Sequence, residues 1–238
     1  MQDCYIGDVG DFLKYGLLNF ILEQCPTLIL GVNWYKSSEQ TINVNKRAFS
    51  YLNETNQFHF SLKVCNPRLF TKMQEIDRCF DEIKKRQILP KKTLYYDKVI
   101  TKNRSDWHRE ALQRLEKADL VFLDPDNGIQ TNSVKDNQRN AFKYVLRQEI
   151  VDYFSQKKSL IIYNHRSHQS EGVYRTRFKE VGDSLKSPRL KLLRGHRYQA
   201  RDFLSIIRLE HEELLTKAIE SFCKSNWTKS GHFSPQKI

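Results

Sequence analysis

The sequence predicts an α/β fold: a Rossmann-like, mainly parallel sheet with helices on both faces and a C-terminal antiparallel strand pair. Short apolar runs alternate with helix-period patterns, as parallel strands joined by covering helices require. Two of the runs, residues 28–35 (LILGVNWY) and 119–123 (DLVFL), are apolar almost throughout, as strands buried on both faces are. Residues 190–198 and 203–209 read as the closing antiparallel pair.

Taken in order, the first helix begins near Gly10 or Asp11, with Asp8 as N-cap. Phe12, Leu13, Leu17, Leu18, Ile21 and Leu22 form its buried stripe, and Pro26 marks its end. The strand at 28–35 follows. Residues 36–56 are polar and match no element. Residues 58–64 alternate like a strand. Residues 67–86 read as one amphipathic helix, with Leu69, Phe70, Met73, Ile76, Phe80 and Ile83 on one face. A strand at 93–100 leads to a helix capped by Ser105 or Asp106 and running to about Ala118. The strand at 119–123 ends directly in Asp124-Pro125. A long helix over 139–154, a buried strand at 159–163 and a basic helix around 173–185 precede the closing pair, and a last helix covers 212–223.

Composition is even, with no repeat, low-complexity tract or linker, which predicts a single domain over 1–238. At 39% hydrophobic the chain can bury a sizeable core, which argues against wholesale disorder. Forty Lys and Arg against 28 Asp and Glu leave a net charge of +12, so an acidic partner is expected, nucleic acid ahead of a membrane surface. The five cysteines are scattered and never form C-x-x-C. A disulfide framework or structural zinc is therefore not expected, and they read as small core residues of a reducing compartment. No apolar run reaches the roughly 18 residues of a membrane span. The start, Met1-Gln2-Asp3, lacks the pattern of a signal peptide, and a cytoplasmic location is expected.

Ligands of open α/β sheets bind beyond the carboxyl ends of the strands. Three segments fall there. In Asp124-Pro125-Asp126-Asn127-Gly128, a buried strand delivers two carboxylates and an amide into a turn closed by glycine; Pro125 biases Asp124 towards extended backbone. Asp124 can accept a hydrogen bond from an amine, act as a base, or share a divalent cation with Asp126. A plain Asx turn is the alternative. In Gly7-Asp8-Val9-Gly10-Asp11-Phe12-Leu13-Lys14-Tyr15, two glycines and two aspartates open a helix and Lys14 follows one turn later. This suits a carboxylate-bearing cofactor gripped by Lys14, a metal held by Asp8 and Asp11, or simply an acidic cap. In Tyr163-Asn164-His165-Arg166-Ser167-His168, His165 is a candidate base, metal ligand or phosphate contact. Arg166, Arg175, Arg177, Arg194, Arg197 and Arg201, with the nearby His196, extend a positive surface suited to a nucleic-acid backbone. Trp107, His108, Trp227 and Phe233 read as packing residues.

The Gly7-Asp8-x-x-Asp11-x-Leu13-Lys14-Tyr15 helix, with the later strand ending Asp124-Pro125, resembles the ribosomal-RNA adenine-N6 methyltransferases of the J family, Rossmann-like enzymes that use S-adenosylmethionine. The resemblance implies that Gly7, Asp8, Asp11, Lys14 and Tyr15 border the cofactor and that Asp124 accepts the hydrogen bond of the target amine. The chain departs from that pattern in two places. Gly31-Val32-Asn33-Trp34-Tyr35-Lys36 stands where the family has a glycine-rich loop, and Asp126 and Asn127 replace the second proline and stacking tyrosine of Asp-Pro-Pro-Tyr. The opening Tyr5-Ile6-Gly7-Asp8-x-Gly10-Asp11-Phe12 is also similar to a group of bacterial proteins of unassigned function.

Three functions follow as expectations. One is a divergent S-adenosylmethionine-dependent methyltransferase of RNA or DNA. The second is a magnesium- or manganese-dependent nuclease or phosphodiesterase, with Asp8, Asp11, Asp124 and Asp126 on the metal and His165 as base or phosphate ligand. The third is a nucleic-acid-binding module on a methyltransferase-like fold that has lost its chemistry. All three require the segments around residues 8–14, 124–128 and 165 to converge on one cavity.

Overall fold

The computed structural model describes residues 3–37, 45–136, 138–166, 170–186 and 188–238. Helix α1 (Val9–Gln24) starts where the Asp8 carboxylate accepts a hydrogen bond from the Asp11 amide, and ends at Cys25, just before Pro26. Strand β1 (Leu30–Asn33) follows, then the short helices α2 (His59–Cys65), α3 (Pro67–Gln74) and α4 (Phe80–Lys85) and strand β2 (Leu94–Tyr96). Helix α5 (Arg104–Arg114) leads into β3 (Leu120–Leu123), and β4 (Gly128–Ile129) pairs with β5 (Tyr144–Val145) as a small parallel ribbon. The rest runs α6 (Arg147–Ser155), β6 (Ser159–His165), α7 (Glu171–Asp183), β7 (Arg189–Gly195), β8 (Arg201–Ile207), α8 (Glu212–Cys223), α9 (Asn226–Lys229) and β9 (Phe233–Gln236).

The main sheet has the order β2-β1-β3-β6-β8-β7-β9. Strands β2, β1, β3 and β6 are parallel; β8 runs antiparallel between β6 and β7, and β9 closes the edge against β7. Alternation along β3 explains its unbroken apolar sequence. Leu120 and Phe122 join the core beneath α1 and α8, while Val121 and Leu123 join the core beneath α5, α6 and α7. Among the described residues no helix is long and apolar enough to cross a membrane.

Several elements differ from the sequence reading. Residues 58–64 form α2, with His59 and Leu62 facing inward and Phe60 turned out to solvent. An alternating pattern this short also satisfies one helical face, and packing against α3 decides for the helix. The helix expected over 67–86 is broken at 75–79 into α3 and α4, which brings Phe80 to within 4.7 Å of the Trp34 ring centre. The helix over 139–154 becomes a 3₁₀ turn, strand β5 and α6, because Tyr144 and Val145 pair with Gly128 and Ile129. The cap of α5 is Asn103 rather than Ser105 or Asp106. Strand β9 has no counterpart in the sequence reading. Of the cysteines only Cys25 is buried, whereas Cys79 is exposed and Cys4, Cys65 and Cys223 lie between. Trp107, His108, Trp227 and Phe233 are buried, in accord with packing roles.

Candidate active site at the carboxyl edge of the sheet

The amino end of α1 and the carboxyl end of β3 meet through charge. Asp11 Oδ2 accepts from the Gly7 amide at 3.2 Å and Asp11 Oδ1 from Lys14 Nζ at 3.2 Å. Lys14 Nζ also donates to Asp124 Oδ2 at 2.9 Å and lies 4.8 Å from the centre of the Tyr163 ring. Asp124 is 1% exposed and Lys14 7%, so the ammonium is held by protein groups rather than by solvent. The Asp124 amide donates to Asn33 O at 3.0 Å, which extends the β1–β3 pairing by one residue and aims the carboxylate off the sheet edge.

The turn after Asp124 is locked to the end of β6. Gly128 has φ +103°, and a Cβ there would lie 2.0 Å from Asn164 Oδ1. Asn164 uses that oxygen to accept from the Ile129 amide at 2.8 Å, and its amide nitrogen donates to the Tyr174 hydroxyl at 2.7 Å. Glycine is required at 128 both by the backbone and by this close approach. At Gly10 on α1 a Cβ would meet the Arg201 guanidinium at 1.8 Å, so the same residue type lets Arg201 lie across the first turn of the helix.

These groups open on a cavity of about 320 Å³. Asp8, Asp11, Lys14, Asp124 and Asp126 line one side of it; Tyr5, Tyr163, Tyr198 and Arg201 line the other. Burial raises the pKa of Asp11 to about 7 against the opposing pull of Lys14. Burial likewise raises Asp124, with Lys14 offsetting part of the rise. For Lys14 burial works against the ammonium, but Asp124 and Asp11 outweigh it and hold its pKa above the ordinary lysine value. Lys14 is therefore a fixed cation at neutral pH, and protons in this site move on carboxyls.

No family model matches this sequence, and no curated protein matches it. A solved structure is similar: the crystal structure of a Legionella pneumophila protein of the family model DUF519, 11% identical, with a TM-score of 0.50 over 97% of each chain. The likeness carries the fold. It shows the α/β architecture along nearly the whole length and, at that identity, nothing of the chemistry.

The structure brings Asp8, Asp11, Lys14, Asp124 and Asp126 to one cavity, as the convergence of the first two segments requires. The third segment contributes Tyr163 instead of His165. His165 is half-buried, with Nδ1 3.3 Å from the Tyr163 hydroxyl, and does not line the cavity. His168 lies outside the described residues. Tyr15 is fully buried in the core beneath α1, and Asn127 uses its amide in the β4–β5 ribbon, donating to Lys143 O at 2.8 Å. Lys14 Nζ sits between Asp11 and Asp124, where a shared cation would lie. Among the described residues no three His, Cys, Asp or Glu side chains are arranged to hold a metal ion.

The arginines divide. Arg166, Arg175 and Arg194 all pair with Glu171, and Arg194 also grips both oxygens of Asp202 at 2.8 and 2.9 Å. Arg177 is 6% exposed and donates to Ile129 O at 3.2 Å, so it braces the turn instead of offering a surface contact. Arg197 is taken up by the C-terminal segment, donating to His232 Nδ1 and to the carbonyls of Ser230 and Gly231. Arg201 is 4% exposed and reaches the cavity. Tyr163 and Tyr198 escaped the sequence reading as site residues. For Tyr163 a signal was present, since alternation along β6 places it on the α1 side of the sheet; Tyr198 carried none.

A second cavity of about 650 Å³ lies beyond the ends of β1 and β2, lined by Ser37, Ile100, Arg104, Asp136, Phe142 and Leu146 among others. At its floor Arg104 forks onto Glu149 at 2.6 and 2.9 Å, and the Tyr35 hydroxyl donates to the same carboxylate at 3.0 Å. Tyr35 itself has φ +47°, a left-handed turn directly after β1.

Proposed function

We propose that this chain is an S-adenosylmethionine-dependent methyltransferase that acts on an amino group of a nucleic-acid base. The observation that carries the reading is Asp124: a carboxylate at the end of a central parallel strand, held by a cation from the opening helix, on a cavity with tyrosines on its far side. The strand order supports it, with four parallel strands followed by a reversed β8 inserted before β7, as does the net charge of +12.

The residues present fit an adenosyl cofactor. The larger cavity offers Ile100, Phe142 and Leu146 to a purine and Ser37 and Asp136 to a ribose. Tyr35 supplies, at φ +47°, the left-handed turn that a glycine-rich loop would make. Lys14 would face the carboxylate of the amino-acid portion. When bound, the cofactor supplies an electrophilic methyl group.

The chain supplies the rest. An exocyclic amine of a base is a poor nucleophile because its lone pair is delocalised into the ring. Asp124 accepts a hydrogen bond from that amine, localises the lone pair, and takes the proton as the new N–C bond forms. Burial raises the proton affinity of Asp124, while Lys14 keeps it ionised enough to accept.

The test is calorimetry with S-adenosylhomocysteine together with transfer of a radiolabelled methyl group to RNA and to DNA. Binding and transfer are expected, and Asp124→Asn is expected to keep the first and lose the second. A protein that neither binds the cofactor nor transfers methyl groups rejects the reading. Nucleic acid cleaved only when manganese is added, and spared by Asp124→Asn, would support the hydrolase in its place.

A further inference from the structure

The turn after β3 carries Asp126 and Asn127 and so presents no aromatic ring beside Asp124. Tyr163 lines the cavity but is 9% exposed, and the Lys14 ammonium lies over its ring. The exposed ring at this cavity comes from another element. Tyr198, at the tip of the β7–β8 hairpin, is 43% exposed and lines the cavity together with Gln199 and Arg201.

Its backbone is strained. Tyr198 has φ +64°, a conformation that costs a side-chain-bearing residue free energy that glycine would not lose. Neighbouring bonds hold it there. The Gln199 amide donates to Arg197 O at 2.8 Å, and Arg201 donates to Gln199 O at 3.2 Å and to Arg197 O at 3.4 Å. Arg197 in turn is anchored on Ser230 O and Gly231 O and lies over the Phe58 ring at 4.1 Å. A hairpin tip clamped on both sides, with a large ring held exposed in an unfavourable conformation, is costly for folding and useful only for contact.

We infer that Tyr198 is the platform on which a nucleobase stacks when it enters the Asp124 cavity. The choice of a nucleobase as the planar ligand rests on the methyltransferase reading. The ring supplies the stacking that the 124–128 turn lacks, and Arg201 beside it offers a cation to the attached phosphate or to the face of the base.

The experiment uses the full chain and a short single-stranded oligonucleotide, RNA or DNA, carrying 2-aminopurine, whose fluorescence is quenched by stacking. Quenching on binding is expected for the wild type and for Tyr198→Phe. In Tyr198→Ala affinity should fall about 10- to 100-fold and the quenching should disappear. Tyr198→Gly should lose binding equally while its melting temperature holds or rises, because glycine relieves the strain at φ +64°. Affinity and quenching unchanged in Tyr198→Ala, or a wild type that leaves the probe unquenched, overturns the inference. Quenching that depends on Tyr198 without any methyl transfer would sink the methyltransferase reading and leave the platform standing. Methyl transfer that is indifferent to Tyr198→Ala does the reverse.

Discussion

Two buried ion pairs sit at the carboxyl edge of the sheet, and they differ in how completely their charges are matched. Arg104 meets both oxygens of Glu149 and gives a third hydrogen bond to Tyr144 O at 3.0 Å. Glu149 in return also accepts from the Tyr35 hydroxyl and the Leu146 amide, each at 3.0 Å. One cation faces one carboxylate, and both have their hydrogen-bonding capacity filled. At the other centre a single ammonium, Lys14, lies between Asp11 and Asp124, with Asp8 and Asp126 lining the same cavity. Negative charge is in excess there, and burial lifts the pKa of Asp11 to about 7. The matched pair is a lock on the fold. The unmatched one can exchange a proton or accept a donor from a ligand, and it is the one that faces a tyrosine-lined cavity.

The contrast can be broken by substitution. Glu149→Ala leaves Arg104 buried without its partner and should cost about 3–5 kcal/mol of stability, read from urea unfolding. If Asp124→Ala proves equally costly, the two centres are both structural and the contrast fails. Asp124→Asn should lower methyl transfer about 100-fold or more, the scale of a lost general base. Its unfolding midpoint should move less than that of Glu149→Ala, because Lys14 retains Asp11.

Gly128→Ala sharpens the comparison from the side of the turn. With φ +103° and Asn164 Oδ1 at 2.0 Å from the new Cβ, a loss of about 2 kcal/mol is expected, accompanied by reduced transfer as Asp124 shifts. A variant as stable as the wild type would mean that Asn164 does not hold this turn.

The smallest effect is on pH dependence. The folded pKa of Asp11, about 7, lies above its ordinary 3.8, so between those values the folded chain keeps a proton that the unfolded chain has released. Stability should fall as pH rises across that window and level off above it. Thermal unfolding of Asp11→Asn should show a flatter profile from pH 4 to pH 7 than the wild type. Parallel profiles would place Asp11 among ordinary surface carboxylates and remove the distinction between the centres.

What the sequence by itself determined is what neighbouring residues encode. An N-cap, an apolar stripe and a following proline specified α1; five apolar residues followed by Asp124-Pro125 located the strand and its ligand edge; and the amphipathic pattern of α8 matched the structure over Glu212–Cys223. The tertiary structure decided everything that depends on a distant partner. Short segments with ambiguous periodicity took the form their neighbours could pair or pack with, as α2 did against α3 and β5 did against β4. Lys14 and Asp124 are 110 residues apart, and neither records the other. Tyr163 entered the site in place of His165 because strand alternation and the position of α1 select the inward side chain, and Tyr198 entered because a hairpin clamped by Arg197 and Arg201 holds it there. Local structure follows from a few adjacent residues, whereas a site is a set of long-range contacts whose geometry exists only once the chain has folded.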